Sequence, residues 1–177
     1  MLNRLKKISE EVLHENPWWK YKHDIYEKPD GNQGDYYYGE TPGMVMLVPV
    51  LADGRIILVQ QYRYLVSRTG IEFPGGGIQP GTELSRAAAD ELFEETGCVA
   101  SDLIMAGTFE QGIGMVKDRA HVFVAQVTTI GESHPDPTEA FELLYRHPDE
   151  IEDMIRRNDI WDAGTMAAWS LVRHHFI

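Results

Sequence analysis

Three glutamates in the middle of the chain have the residue type and spacing of a metal-binding group. Glu91, Glu94 and Glu95 lie at i, i+3 and i+4 in an alanine-rich stretch that ends at Gly97. Such a stretch predicts a helix with a glycine C-cap, on which residues three and four apart share one face. Like charges placed together destabilise a helix unless something compensates for them, and a hard divalent cation prefers carboxylate oxygens. The pattern therefore predicts a cation beside this helix.

A glycine-rich turn, GGG at residues 75–77, comes just before the predicted helix. Glycine lets the backbone approach other groups closely, so its amides and carbonyls can lie beside the carboxylates. Together these groups predict metal-assisted chemistry on a phosphorylated substrate. The alternative interpretation of the glutamates alone is a solvated acidic face. We expect a different side of the helix to pack in the core. That side is formed by Ala89, Leu92, Phe93 and Thr96.

The elements that must position this helix alternate between strands and helices. Runs rich in β-branched and aromatic residues predict strands, and amphipathic runs predict helices. Strands are predicted at residues 19–26, 35–38, 44–51, 55–62, 71–73, 103–110, 121–128 and 141–145, with turns at 29–32 and 52–54. Helices are predicted at residues 3–14, 83–96, 149–157 and 164–175. Strands on both sides of a central helix predict an α/β protein with a mixed sheet between helices.

Length and composition favour one globular domain over residues 1–177. The chain has 177 residues, 43% of them apolar, which suffices for one hydrophobic core. Its net charge of −12 argues against nucleic acid as the main partner. No run approaches the roughly 20 apolar residues that a membrane span requires. The start of the chain lacks the apolar core of a signal peptide, so we expect a cytoplasmic protein without a membrane partner.

The helix and its glycine turn resemble the Nudix box, G-x5-E-x7-R-E-U-x-E-E-x-G-U, where U is bulky and apolar. The sequence ELFEETGC at residues 91–98 matches the second half of the motif at every position. Counting back places Gly76 at the first glycine, Thr82 at the first glutamate and Asp90 at the arginine. In the family these last two residues form an ion pair that braces the helix, and here both are replaced. A register shifted by one residue would place Glu83 at the glutamate.

The resemblance implies a metal site on this helix. In the family's pattern Glu91 and Glu95 ligate the metal, Glu94 lies close by and the carbonyl of Gly75 contributes. The implied cofactor is Mg²⁺, with Mn²⁺ as an alternative.

Further segments are similar to the ADP-ribose pyrophosphatase branch of this family, including NPW at residues 16–18 and PDG at residues 29–31. The resemblance therefore covers residues 15–172. QQYRY at residues 60–64 resembles its Q-Y-R segment, and EFPGG at residues 72–76 resembles its E-x-P-x-G segment. In that branch the arginine, here Arg63, contacts a substrate phosphate, and the glutamate, here Glu72, helps to hold the substrate. A purely structural ion pair is the alternative role for Arg63.

The resemblance also implies an acidic residue that assists the attacking water. Relatives in this branch draw it from the loop between the last strands, which corresponds to residues 132–142. Glu139 is the first choice, as catalytic base and as a further metal ligand, and Asp136 is the second. A solvent-exposed acidic loop is the alternative interpretation.

The N-terminal segment, residues 1–42, is rich in aromatic residues. Trp18 and Trp19 are candidates for stacking on the nucleobase, and packing in a core or a dimer interface is the alternative. The resemblance implies a Nudix α/β/α sandwich, with a catalytic core at 43–177 and a strand-rich N-terminal segment that is exchanged in a homodimer.

The implied reaction is Mg²⁺-dependent hydrolysis of a nucleoside diphosphate sugar to a nucleoside monophosphate and a sugar phosphate. The family's proline after the box is absent from QGIGM at residues 111–115, and Asp118 replaces a glutamate. These departures from the ADP-ribose pyrophosphatase pattern favour a broader nucleoside diphosphate sugar hydrolase. ADP-ribose is its first choice of substrate, and GDP-mannose or a similar nucleotide sugar is the second. The alternatives are a Nudix hydrolase for nucleoside triphosphates or dinucleoside polyphosphates, and a non-catalytic nucleotide-binding protein.

Overall fold

The computed structural model describes residues 4–133 and 142–176. They form two compact units. The first comprises the residues up to Gly43 together with Glu110–Arg119, and the second comprises Met44–Phe109 together with the chain from Ala120 onwards. No helix in the described part of the chain has the length and apolar character needed to cross a membrane.

The first unit is a sheet of four strands in the order β1-β2-β3-β9. The strands are β1 (Lys6–Glu15), β2 (Lys20–Glu27), β3 (Gln33–Glu40) and β9 (Val116–Lys117). The first three are antiparallel and β9 runs parallel to β3. The predicted turn between β2 and β3 is present, with Gly31 at a φ of 83°. A positive φ favours glycine, because glycine has no Cβ atom to clash with the backbone.

The predicted helix at residues 3–14 is wrong, because this segment forms β1. Two register shifts interrupt the pairing of β1 with β2, one between Lys7 and Ser9 and one between Val12 and His14. Each extra residue at such an irregularity breaks the strict alternation of a strand, so the apolar residues fall at spacings typical of a helix. Cross-strand pairing stabilises the strand instead, as where Lys7 contacts Asp24 at 2.8 Å.

The second unit is a mixed sheet with helices on both faces, as predicted. Its strands are β4 (Met44–Val50), β5 (Ile56–Arg63), β6 (Arg68–Glu72), β7 (Gly75–Gly77), β8 (Cys98–Glu110), β10 (Arg119–Ile130) and β11 (Glu142–Arg146). Its helices are α1 (Leu84–Thr96), α2 (Pro148–Arg156) and α3 (Ala163–Val172). The main strand order is β11-β5-β4-β10-β8, and β6 and β7 pair with β5 and β4. β10 runs parallel to β4, whereas β5 and β7 are antiparallel to it.

Strand β5 separates two hydrophobic cores. Leu58 packs on one face with Ile151 of α2 and Trp169 of α3. Its neighbour Ile57 packs on the other face with Leu92 of α1. Successive side chains of a strand point to opposite faces, and a strand covered on both faces needs a continuous apolar run. The run Ile-Ile-Leu-Val in β5 meets that need, and α1 is thereby fixed on one face of the sheet.

Candidate active site

Helix α1 begins and ends where the sequence predicts. The Glu83 side chain accepts a hydrogen bond from the backbone N–H of Arg86 and caps the first turn. At the other end Gly97 has a φ of 68°, and its N–H donates to the carbonyl of Phe93. A residue in the left-handed region at this position is the usual end of a helix, and glycine adopts it without strain.

The carboxylate of Glu91 lies directly against Gly76. A Cβ atom on Gly76 would come within 2.6 Å of the Glu91 carboxyl carbon, closer than such atoms can approach. Strand β7 pairs with β4 at this point, with Gly76 opposite Val45. A side chain at Gly76 would therefore displace the Glu91 carboxylate from its position beside the backbone.

Glu95 is buried, with 5% of its surface exposed. Its Oε2 accepts a hydrogen bond of 2.9 Å from the backbone N–H of Gly75. A buried carboxylate costs free energy unless such bonds compensate for it. Gly75 itself is confined, because a Cβ there would collide with the Val45 carbonyl oxygen. The glycine turn and α1 thus hold two carboxylates at one place.

The predicted core side of α1 is partly wrong. Leu92 and Thr96 are buried, but Ala89 is exposed and Phe93 is 44% exposed. The buried stripe continues instead to Glu95, since the hydrogen bond from Gly75 makes burial of that carboxylate tolerable. Glu94 lies on the exposed side of the helix.

The donor set of Glu91, Glu95 and the Gly75 backbone suits a hard cation. Mg²⁺ is commonly bound by one or two protein carboxylates together with waters and substrate phosphates. Among residues 4–133 and 142–176, no three His, Cys, Asp or Glu side chains form a complete metal-binding group. Glu139 and Asp136, the predicted further ligand and its alternative, lie outside the described residues.

Asp90, which replaces the motif arginine, and Glu83, the neighbour of Thr82, both make contacts at the start of the helix. Asp90 accepts a hydrogen bond of 2.7 Å from Arg86, one helical turn earlier, and this contact raises the pKa of the Arg86 guanidinium. Glu83 accepts hydrogen bonds from the Ser85 hydroxyl and the Arg86 amide, and these lower the pKa of its carboxyl group. The start of α1 is thus fixed by a cap within the helix.

The structure brings the two predicted substrate residues of β5 and β6 together. Arg63 Nε donates to Glu72 at 2.9 and 3.1 Å, and Arg63 Nη2 makes a further short contact to the same carboxylate. Glu72 is 5% exposed. A Cβ on Gly70 would lie 2.5 Å from its Oε1. The bond to Glu72 raises the pKa of Arg63.

Trp18 and Trp19 lie in the loop between β1 and β2 of the first unit. Their backbone N–H groups both donate to the Asn16 side chain at 2.9 Å, which fixes the turn. Trp18 is 73% exposed and Trp19 is 41% exposed. Both rings are therefore available on the surface of that unit.

Sequence reasoning missed two features of the site. It did not single out Gly76 as the residue that makes room for Glu91, although the run of three glycines is the signal for such a close approach. It also missed Asp162, whose charge acts on Arg63. No local pattern marks Asp162, which caps α3 by accepting from the Thr165 N–H at 2.6 Å.

Comparison with known proteins identifies the family. The model of the NUDIX domain matches residues 40–169. The chain is 30% identical to the ADP-ribose pyrophosphatase of Bacillus subtilis (strain 168) over 150 residues, which cover 84% of this chain and 80% of that protein. The chain therefore belongs to the NUDIX family, and the predicted class of enzyme, a Nudix pyrophosphohydrolase, is confirmed.

Two other matches extend over nearly the whole chain. The methanol dehydrogenase activator of Bacillus methanolicus is 26% identical over 165 residues, which cover 92% of this chain and 89% of that protein. A crystal structure of an ADP compounds hydrolase aligns with a TM-score of 0.83 at 23% identity, covering 98% of this chain and 95% of that chain. The expected Nudix fold and the resemblance to the ADP-ribose pyrophosphatase branch are confirmed.

Proposed function

We propose that this enzyme hydrolyses the diphosphate of a nucleoside diphosphate sugar. The products are a nucleoside monophosphate and a sugar phosphate. ADP-ribose is the first choice of substrate, and GDP-mannose or a similar nucleotide sugar is the second. The observation that carries the proposal is the position of the Glu95 and Glu91 carboxylates against Gly75 and Gly76. The name of the Bacillus subtilis relative supports the choice of substrate class.

Glu91, Glu95 and the Gly75 carbonyl would hold Mg²⁺, with Glu139 as the proposed further ligand and Mn²⁺ as an alternative ion. Bound there, the cation would neutralise the charge of the diphosphate and lower the pKa of a coordinated water. The carboxylates keep their geometry without the substrate, because the Gly75 N–H holds Glu95 and the Gly76 backbone confines Glu91. Glu94, on the exposed side of the same helix, is proposed as a further catalytic carboxylate close to the cation.

Arg63 is proposed to bind a substrate phosphate, with Glu72 as its positioning residue. The described contacts to Glu72 use Nε and Nη2, and Nη1 is proposed to donate to the phosphate. Arginine binds phosphate through its planar set of N–H donors, and a buried carboxylate partner fixes the plane of that set. Glu139 is proposed to take the proton of the attacking water.

The first unit is proposed to bind the base and to form a homodimer. Its exposed aromatic residues include Trp18, Trp19 and Tyr37, which is 52% exposed. Exposed apolar groups of this extent mark interaction surfaces. Deleting residues 1–40 should therefore abolish both dimer formation and hydrolysis. Light scattering of the full-length chain is the first check, since a fully active monomer of 20.1 kDa would contradict the proposal.

A substrate panel tests the proposed reaction. ADP-ribose, GDP-mannose, ATP and a dinucleoside polyphosphate are each incubated with the enzyme and millimolar Mg²⁺, and phosphate is measured after phosphatase treatment of the products. Nucleotide sugars should be hydrolysed faster than ATP, and chelation of the metal should stop the reaction. Preference for ATP or the dinucleoside polyphosphate would favour the other Nudix activity. Hydrolysis of none of them would favour a binding protein.

A further inference from the structure

A polar cavity lies in the second unit, on the face of the sheet that α2 covers. It has a volume of about 440 Å³ and is lined by residues of β5, β6, β11 and the segment after α2. Gln60 of β5 lies two residues after Leu58, which packs against α2. Ile71 pairs with Gln60 across the ladder, and Arg146 pairs with Ile56. These positions share one face, which is opposite to that of α1.

Three arginines give the cavity a positive charge. They are Arg68, Arg146 and Arg157. Asp159 is the one acidic residue among the described lining residues, and it pairs with Arg157 at 3.0 Å. Within the described ranges, Arg68 and Arg146 have no carboxylate partner. The cavity thus carries a local excess of positively charged side chains, although the chain as a whole has a net charge of −12.

The described contacts of these two arginines are to a ring and a carbonyl group, not to a carboxylate. The guanidinium of Arg68 lies over the ring of Trp161, 4.7 Å from its centre. Arg146 donates from Nη1 to the backbone carbonyl of Tyr145 at 2.9 Å. A ring face and a carbonyl orient a guanidinium but do not neutralise it. The Trp161 ring is itself fixed, since its Nε1 donates to the carbonyl of Thr69 at 3.2 Å.

The remaining lining residues supply neutral donors and a rigid wall. Asn158 follows α2 in the left-handed region, with a φ of 60°, and its N–H donates to the Ile155 carbonyl. Asparagine is among the residues that tolerate this conformation. Asn158 and Gln60, which both carry amide side chains, line the cavity. Guanidinium and amide donors together suit the oxygen atoms of a phosphate group.

We propose that this cavity binds a small organic phosphate, a phosphomonoester, at a site separate from the carboxylates of α1. Two arginines without acidic partners match the two negative charges that a phosphomonoester carries near neutral pH. A volume of about 440 Å³ is more than a phosphate ion fills, and it lies in the range of small-molecule pockets. The phosphate lies against the arginines, and the organic part occupies the rest of the cavity.

Calorimetric titration of the full-length chain tests the proposal. The buffer contains EDTA, so that no divalent cation is held by α1 and no hydrolysis takes place. AMP and ribose 5-phosphate should both bind with a dissociation constant below about 1 mM, and inorganic phosphate should bind more weakly. Adenosine should not bind. Equal binding of adenosine and AMP, or no binding of either phosphomonoester, would overturn the proposal whatever the enzyme hydrolyses.

Matched variants locate the binding site. Arg68→Gln and Arg146→Gln should each weaken AMP binding at least about tenfold, because each removes a charged phosphate donor that has no carboxylate partner among the described residues. Arg156→Gln is the control: Arg156 is the neighbour of Arg157 and pairs with Asp153, but it does not line the cavity. It should change the affinity less than twofold. Circular dichroism establishes that each variant is folded.

A spectroscopic signal shows whether AMP lies beside Trp161. The indole N–H resonance of Trp161, assigned with Trp161→Phe, should shift when AMP is added. If Arg68→Gln binds AMP as the wild type does, or if Glu95→Gln abolishes binding while Arg68→Gln does not, the phosphate lies at α1 and the proposal is wrong.

Discussion

The two halves of α1 carry charged residues in opposite surroundings. In the C-terminal half, Glu95 is buried with the Gly75 N–H as donor, and Glu91 lies against the backbone of the glycine turn. In the N-terminal half, Arg86 and Asp90 form a pair whose side chains are 73% and 44% exposed. Exposed ion pairs contribute little to stability, whereas a buried carboxylate depends on its partners.

This difference explains where the sequence departs from its family motif. Of the two departures, Asp90 falls in the half of the helix where solvent screens charge, and Thr82 lies just before the helix begins. Of the positions that match, Gly76, Glu91 and Glu95 lie where the glycine turn and the helix approach each other closely. The helix therefore keeps the geometry of its carboxylates while its bracing contacts change, and the following substitutions test that comparison.

Replacing Glu95 should have the largest effect. Glu95→Gln keeps the shape and the acceptor for the Gly75 N–H but removes the charge that would bind metal. Turnover of the nucleotide sugar should fall about a thousandfold or more, on the order of 4 kcal/mol, with the melting temperature nearly unchanged. Asp90→Asn on the same helix is the matched control and should stay near wild-type activity. Wild-type rates for Glu95→Gln at saturating Mg²⁺ would rule out the metal assignment.

A methyl group on the glycine turn should have the next largest effect. Gly76→Ala places Cβ against the Glu91 carboxylate and must displace it. A displacement of about 1 Å in an active site can cost about a hundredfold in rate. Gly77→Ala is the control, because nothing lies within 4 Å of a Cβ there. The steady-state rate of Gly76→Ala should therefore be about a hundredfold lower than that of Gly77→Ala. Equal rates for the two variants would show that Glu91 is not confined by the turn.

Restoring one member of the family's ion pair should give a smaller loss and no gain. Asp90→Arg puts a second cation one turn from Arg86 and beside Glu91, where it competes with metal for the carboxylate. The concentration of Mg²⁺ at half-maximal rate should rise a few-fold. Thr82→Glu combined with Asp90→Arg should be tolerated better than the single change. A gain in activity from Asp90→Arg alone would show that the motif is aligned in the wrong register.

Removing the helix cap should have the smallest effect and should act on stability alone. Glu83→Ala deletes the acceptor for the Arg86 N–H, and the melting temperature should fall by about 2–4 °C. Thr82→Ala, next to it, removes no side-chain contact that the structure describes and should leave the melting temperature unchanged. A thermal scan measures the change in melting temperature, and an activity assay at 25 °C shows whether kcat also changes. A large loss of kcat in Glu83→Ala would mean that the N-terminal half also shapes the site.

Local chemistry explains which elements the sequence predicted. The glycine cap at Gly97, the turn at residues 52–54 and the apolar run of β5 each depend on residues close together in the chain, so pattern alone predicts them. The N-terminal segment was predicted wrongly because β1 is stabilised by pairing with β2 and its irregular register imitates a helical spacing.

The site also combines features set by residues close together in the chain with features set by contacts between distant segments. Glu91, Glu94 and Glu95 were predicted as site residues from their spacing, because a helix places such residues together. The pairing of Arg63 with Glu72 depends on the β5–β6 register, and the effect of Asp162 on Arg63 depends on how α3 is placed. Neither relation has a signal in the local sequence. The base, Glu139, stays a prediction because it lies outside the described residues.

Direct measurement of metal binding tests the central claim, that the C-terminal half of α1 holds the catalytic cation. Mn²⁺ is titrated into the full-length protein, and the free ion is measured by electron paramagnetic resonance. The wild type and Asp90→Asn should bind Mn²⁺ with similar affinity, and Glu95→Gln should bind it at least about tenfold more weakly. Equal affinity of Glu95→Gln and the wild type would contradict the account.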